Sequence, residues 1–373
     1  MYQLCLLLVL ACSAVLNAKY PEEHSEVAVK LFNEWKVKHE KTYRSEVEEW
    51  YRYGIFLDNI KVINSLNSLP KKHGTDSVRY GLTQFADLTL AEFKKTILQP
   101  SRPSFDWEKK AGKFNHTVKA PASFDWTDQA GVVTSIKDQG AVGTCWAFAG
   151  LANVESLWNL KSGQTVDLSA QSLNDCDGIV DLTTSALACG PLGATMPGFY
   201  EWVVQEGGIM RWSDYPYCVG TGECSPCAPE GYSELYCGAP WPIVPCYAED
   251  SCAAKYDPAK FVPGLKVTDY VSFGTNEVAL LDNLVDVGPL VAGIDASDLQ
   301  HYEGGVLEPV LCDAASLNHA VLLVGYDQTS TGTPYWRIKN SWGTQWGEEG
   351  FGRVIRGEGA CGINAEVTSA VLG

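Results

Sequence analysis

The chain has 373 residues, 46% of them hydrophobic, enough to build a large core in more than one folding unit. Its formal net charge of −17 argues against nucleic acid as a partner, and no stretch after the N-terminus has the length of a membrane anchor. The charge is uneven: Lys19–Lys119 carries 18 basic and 14 acidic residues, whereas Ala120–Gly373 carries 10 and 31. Either the two parts attract each other and loosen as carboxylates protonate, or the acidity serves solubility alone.

Residues 1–18 read as a secretory signal. Leu4 to Leu10 form its apolar core and Leu16-Asn17-Ala18 an acceptable cleavage site, although no basic residue precedes the core. The rest of the chain is then expected in an oxidising compartment. Residues 26 to 69 read as helices. Val27, Leu31, Phe32 and Trp35 recur at helical spacing, and Phe56, Asn59, Ile63 and Asn67 fall on one face of a second helix. Residues 100–119 are rich in Pro, Lys and Gly and read as an extended, cleavable linker. Within them, Asn115-His116-Thr117 is an N-glycosylation sequon.

Next comes Gln139-Gly140-Ala141-Val142-Gly143-Thr144-Cys145-Trp146-Ala147-Phe148. A Gly-rich turn delivers Cys145 to the start of an apolar helical run ending near Leu160. There the unpaired N–H groups and the dipole favour a thiolate, the reactive form. The Gln139 amide and the Cys145 N–H are candidate donors to an oxyanion. The simpler alternative makes Cys145 half of a disulfide. Thirteen cysteines are present, and Cys5 and Cys12 lie in the signal. With Cys145 as a reactive thiol, ten remain, enough for five bridges. Cys218, Cys224, Cys227, Cys237, Cys246 and Cys252 crowd residues 218–252, where Cys224-x2-Cys227 leaves zinc as a rival reading, though no histidine nearby completes a site.

From residue 261 the pattern is β. Val285 to Ile294, Ala320 to Tyr326, Tyr335 to Lys339 and Phe351 to Arg356 are strand-like, separated by Gly and Pro. A helical half followed by a strand-rich half implies an α+β fold of two packed subdomains with a cleft between them. His319 stands at the mouth of one strand and Asn340 at the end of another. Taken alone, His319 is a packed histidine, and Asn340 and Trp342 are turn and core residues. His301 reads as a surface histidine.

Taken together, Cys145, His319 and Asn340, in that order and with Gln139 upstream, resemble papain-like cysteine peptidases of the cathepsin L-like branch. The resemblance extends to the propeptide. Glu48, Arg52, Phe56, Asn59, Ile63 and Asn67 match its ERFNIN-type signature, and Gly81 to Asp87 resemble its second motif, with Thr83 replacing the usual Asn. It implies a papain-like fold with a helical left subdomain and a β-barrel-like right one, preceded by a helical inhibitory propeptide over 19–119. The peptidase domain would span 120–373 with a Cys-rich insertion at about 218–252, and the propeptide tail, residues 100–119, would run backwards through the cleft. Disulfides Cys176–Cys224 and Cys312–Cys361 are implied, leaving Cys189, Cys218, Cys227, Cys237, Cys246 and Cys252 to pair among themselves. The chain departs from the family where Val142 replaces a loop-bridging cysteine and where Gly193 and Ala194 replace a Gly-Gly pair that binds substrate backbone. His319 follows Cys145 by 174 residues, beyond the usual span of about 130–150, because of the insertion.

The implied chemistry is peptide-bond hydrolysis. Cys145 attacks the scissile carbonyl, His319 carries the proton to the leaving amine, Asn340 orients the imidazole under Trp342, and Gln139 holds the oxyanion. Glu366 is expected in the main specificity pocket, where a carboxylate admits Arg as well as apolar groups, and Met196 is expected to bind substrate with Gly193, Ala194 and Trp342. No metal or other cofactor is implied. The expected partners are protein or peptide substrates and the chain's own propeptide, in a monomer sent to the lysosome, an endosomal vacuole or the outside. The inserted loop has no histidine, so an endopeptidase is expected. The rivals are a non-catalytic homologue that binds without cleaving, and a transpeptidase using the same residues.

Overall fold

The structure is a computed structural model that describes residues 20–21, 23–70, 72–100, 118–181, 186–237, 244–245 and 252–373. The expected signal, Asn115 and Cys246 lie outside the described residues, as does most of the expected tail.

Helices α1 (Glu26–Lys38), α2 (Glu46–Ser68) and α3 (Leu90–Thr96), with strand β1 (Arg79–Tyr80), form an N-terminal domain. Each helix starts on a side-chain cap. Ser25 accepts from the Ala28 N–H, Ser45 from the Glu48 N–H, and Thr89 forms a capping box with Glu92. Phe32, Trp35, Tyr53 and Phe56 pack ring to ring between α1 and α2. Val27, expected on the buried face, is exposed; Ala28 takes its place. The polar residues of α2 hold the following segment. Asn59 donates to the Ala86 and Leu88 carbonyls, Asn67 to Tyr80, and Arg52 to the Asp87 carbonyl and to Glu92.

The larger part begins with β2 (Phe124–Asp125) and the helices α4 (Cys145–Ser162), α5 (Ala170–Cys176) and α6 (Met196–Glu206), with hairpin strands β3 (Val180–Asp181) and β4 (Ala186–Leu187). An inserted region carries β5 (Cys227–Ala228), α7 (Glu234–Cys237), β6 (Val244–Pro245) and α8 (Cys252–Lys255). Then follow β7 (Val267–Phe273), α9 (Glu277–Val287), β8 (Leu290–Ile294), β9 (Tyr302–Gly304), β10 (Val306–Leu307), β11 (His319–Gln328), β12 (Pro334–Lys339), β13 (Phe351–Ile355) and β14 (Val367–Leu372). The main sheet runs β10-β13-β12-β11-β8-β14-β7, with β2 also paired to β11. This is the α+β, two-subdomain arrangement with a helical domain ahead of it.

Strand β11 divides two cores. Its residues alternate: Val321 and Leu323 face the core shared with the N-terminal domain, while Ala320, Leu322 and Val324 face the core built on α4. Each such side chain contributes about 1.5–3 kcal/mol of burial, so the strand's register is strongly specified. Helix α4 is buried over most of its length because it is apolar all round. Its one buried acid, Glu155, accepts from the Thr134 hydroxyl, the Lys137 ammonium and the Leu168 N–H.

Four features differ from the sequence reading. Residues 285–287 end helix α9 rather than begin a strand: Asn276 caps that helix, and Leu280 and Leu284 give it a helical buried face. His301 is buried at 5% exposure, and desolvation pushes its imidazole down to about 3. Cys176 bonds to Cys252, not to Cys224, because α8 returns the end of the insertion to the end of α5. Cys224 closes a short loop with Cys218 instead. Cys189–Cys237 and Cys312–Cys361 are also formed, and Cys227 is disulfide-bonded. With Cys224 and Cys227 both bridged, the zinc reading loses its ligands.

Contacts of both polarities join the N-terminal domain to the rest. Lys72 and His73 pair with Glu308, Asp76 pairs with Arg353, and β1 pairs with β9. Such partly exposed pairs contribute modestly; the apolar core shared by both parts is the larger tie.

Asp177, at the end of α5, is fully buried; one carboxylate oxygen accepts from the Ile179 N–H and the other has no partner among the described residues. Burial raises its pKa well above the ordinary value, and Glu206 adds to the rise. A carboxyl raised on folding contributes stability below the unfolded value and loses it as pH rises through the folded one. Asp177→Asn is therefore expected to raise the melting temperature at pH 7 and to change it little at pH 4. A variant no more stable than the parent at pH 7 would contradict the assignment.

Candidate active site

Cys145 is the first residue of α4, fully buried, and remains a thiol outside the disulfides. The residue before it does not cap the helix: the Thr144 hydroxyl lies 2.9 Å from the Tyr217 hydroxyl. The first turn thus keeps its positive end for an anion. The preceding turn needs its glycine. Gly140 has φ +64°, and a Cβ there would lie 1.9 Å from the Gly220 carbonyl oxygen.

His319 opens β11 and is 1% exposed. Pairing of β11 with β12 matches Leu322 to Lys339, which brings the next residue, Asn340, beside the imidazole. His319 Nε2 lies 2.8 Å from Asn340 Oδ1, which also accepts from the Ser341 N–H. Nδ1 has no hydrogen-bond partner among the described residues. Trp342 stacks on the ring with centroids 4.6 Å apart. Desolvation lowers the imidazole to about 4, and the bond to Asn340 opposes that shift.

Gln139 is held at both ends. Its Oε1 accepts from the Ser341 hydroxyl at 2.7 Å, its backbone N–H donates to Ser341, and its carbonyl accepts from Tyr217. Its Nε2 donates to the Val142 carbonyl and, at 2.8 Å, to the carbonyl of Ile97, a residue of the N-terminal domain. The cleft is therefore entered just after α3, earlier than the expected stretch from residue 100. Leu98 carbonyl oxygen lies 3.2 Å from where a Gly143 Cβ would stand. The Gln99 N–H donates to Asn318 O, and its side chain accepts from the Ala194 N–H. A Cβ on Gly193 would fall 2.6 Å from the Gln99 Cβ, so only glycine lets the chain pass so close. The Gln99 side chain shares a pocket with Ala194, Met196, Gly293, Leu317 and Glu366.

Above the cleft the N-terminal domain packs on Trp342. Phe85 and Phe93 meet its ring edge-on at 5.2 and 5.5 Å, and the Gln84 amide donates to its carbonyl. Thr83, the departure from the motif, makes its own contact through a hydroxyl bond to Gln300 O. Ile97, Gln99, Ser341 and Tyr217 have no site role in the sequence reading. Ser341 was findable as the neighbour of Asn340, whereas Ile97 carries no sequence signal, because its backbone carbonyl makes the contact.

Comparison with known proteins gives a consistent picture. Residues 120–371 match the model of the papain family cysteine proteases, and residues 32–93 match that of the cathepsin propeptide inhibitor domain. A pea protein named cysteine proteinase 15A is 31% identical over 93% of this chain and 88% of its own. Mouse cathepsin F is 33% identical over 94% of this chain and 67% of its own. Digestive procathepsin L 3 from the larval midgut of Tenebrio molitor superposes with a TM-score of 0.70 at 29% identity, covering 93% of this chain and all of that one.

The buried imidazole yields a direct expectation. In the whole chain, His319 should remain neutral down to about pH 4, because burial penalises its charged form. Removing the N-terminal domain should move its titration upward. Proton NMR of the histidine ring in both forms reads this, and a midpoint near the ordinary 6.5 in the whole chain would contradict it.

Proposed function

The chain belongs to the papain family of cysteine proteases, carries a cathepsin-type propeptide, and we propose that it is an endopeptidase working through Cys145, His319, Asn340 and Gln139. The observation that carries this reading is the bond from Gln139 Nε2 to the Ile97 carbonyl: a peptide carbonyl already rests on the donor assigned to the oxyanion.

The Cys145 thiol passes its proton to His319, and the thiolate, favoured by the start of α4, attacks the substrate carbonyl. Gln139 Nε2 and the Cys145 N–H take the oxyanion charge. His319 then protonates the leaving amine, and an acyl-enzyme thioester remains. The imidazole next removes a proton from water, which hydrolyses the thioester and restores the thiol. With Nε2 held by Asn340, Nδ1 is the nitrogen that exchanges the proton. While Ile97 to Gln99 fill the cleft, substrate has no access and His319 stays neutral.

The pocket that holds Gln99 is the main specificity pocket of this reading, and Glu366 sets its charge. Met196 and Leu317 accept apolar groups, and the carboxylate accepts Arg. The signal-like N-terminus supports entry into the secretory pathway, ending in a lysosomal or endosomal vacuole or outside the cell. Residues 19–119 act as the propeptide and the peptidase begins near Ala120. Among the described residues no helix is long and apolar enough to cross a membrane.

The test is turnover of blocked Phe-Arg and Arg-Arg fluorogenic dipeptides by acid-processed protein. Cys145→Ser should abolish cleavage of both without lowering the melting temperature. Gln139→Ala should lower kcat by about 10²–10³. Glu366→Ala should lose Arg-Arg cleavage while keeping Phe-Arg. Processed parent protein that cleaves neither would favour a binding role for the fold, and acyl transfer to an added amine in place of hydrolysis would favour a transpeptidase.

A further inference from the structure

The turn from Cys189 to Gly193 stands between the catalytic loop and the Gly193–Ala194 segment that meets Gln99. On one side the Gly143 N–H, two residues before Cys145, donates to the Pro191 carbonyl, and the Trp146 indole donates to Gly190. On the other, Ala188 bridges Ala194 in antiparallel fashion, and the Cys189 N–H donates to the Gly193 carbonyl. Gly193 and Ala194 are the residues that Gln99 lies against. The turn is built with tight tolerance. Gly190 has φ +55°, and a Cβ there would fall 2.8 Å from Asn174 O and 2.9 Å from the Pro229 ring.

Val142, which carries no thiol, cannot tie the catalytic loop to this turn covalently. The covalent tie comes from the insertion. Cys189, 1% exposed, bonds to Cys237 at the end of α7, and Cys237 Sγ lies 3.9 Å from the Ala188 carbonyl oxygen. Pro229 packs on Gly190 from the same inserted segment, and the Glu230 carbonyl oxygen lies 2.0 Å from where a Gly178 Cβ would stand. The insertion thus grips the turn by one bond and by the Pro229 ring against Gly190, and it also approaches Gly178, just after α5, through a backbone carbonyl.

We propose that the inserted segment from Cys227 to Cys237 is a brace for substrate binding, with Cys189 and Cys237 as positioning residues that hold Gly193 and Ala194 at the distance needed to pair with an extended peptide. The proposal rests on the peptidase reading above. The brace acts on the Gly193–Ala194 segment that binds the peptide and not on the pair that performs the chemistry. Loss of the bridge therefore weakens peptide binding while leaving the Cys145 thiol as reactive as before.

The experiment compares the processed parent with processed Cys189→Ser/Cys237→Ser, in which neither half of the broken bridge is left as a thiol. KM and kcat are measured on the Phe-Arg substrate, and the rate of Cys145 alkylation by iodoacetamide is measured beside them, since that small reagent does not use the Gly193–Ala194 segment. KM is expected to rise about tenfold, equivalent to about 1.4 kcal/mol of lost binding, with the alkylation rate unchanged. An unchanged KM would overturn the brace, and so would a fall in alkylation that matches the loss of turnover, which would mark a general structural role. If the double variant does not fold, timed mild reduction of the folded parent replaces it, with Cys237 and Cys218 labelling followed by mass spectrometry. KM should then rise in step with Cys237 labelling, and a KM that stays flat while Cys237 becomes labelled refutes the proposal. An inactive parent would count against the peptidase reading, whereas an active parent with an indifferent variant counts against the brace alone.

Discussion

The site depends on the hydrogen bond between His319 Nε2 and Asn340 Oδ1. Its net worth to stability is small, about 0.5–1.5 kcal/mol for an ordinary buried bond. Its importance is directional. By engaging one ring nitrogen it leaves the other for the proton transfer proposed above, and it fixes the plane of the ring against Trp342. The bond exists because β11 and β12 pair in a register that the two cores on either side of β11 do not allow to slip. A shift of one residue would turn Val321 and Leu323 into the core now filled by Ala320, Leu322 and Val324. The packing of an apolar strand thus sets the position of one imidazole to within hydrogen-bond tolerance.

The same burial explains how one chain holds both an enzyme and its restraint. The N-terminal domain supplies no covalent block. It supplies a peptide carbonyl to Gln139, a side chain to the pocket lined by Glu366 and Met196, and two phenylalanine rings to Trp342. Together these remove water from His319. In a dry site the imidazolium is costly, so on the proposed mechanism the proton transfer from the thiol is opposed by the same contacts that fill the cleft. Geometric exclusion and electrostatic suppression then have a single cause, and both end when the domain departs.

Much of this was legible in the residues. Cys145 at a helix start, His319 at a strand start and Asn340 at a strand end follow from local pattern, and α2 shows its inward face in the spacing of Phe56, Asn59, Ile63 and Asn67. What escaped were features that depend on distance in space rather than in sequence. Cys224 has a distant partner in Cys176 by resemblance, yet it is bonded to Cys218, six residues away. His301 looks exposed between polar and glycine residues, but the N-terminal domain covers it through the Gly81–His301 backbone bond. The stretch 285–287 has strand composition but is continuous with a capped helix. Ile97 acts through its carbonyl, which every residue possesses.

The most direct test of the central claim is the pH dependence of Cys145 alkylation by chloroacetamide, followed by mass spectrometry in the whole chain and in processed protein. The processed form should react near its full rate already at mildly acidic pH, because His319 and the start of α4 hold a thiolate there. The whole chain should remain unmodified over the same period. A processed form whose rate climbs through a single midpoint near the ordinary thiol value of about 8.5, or a whole chain that reacts as fast as the processed one, would contradict it.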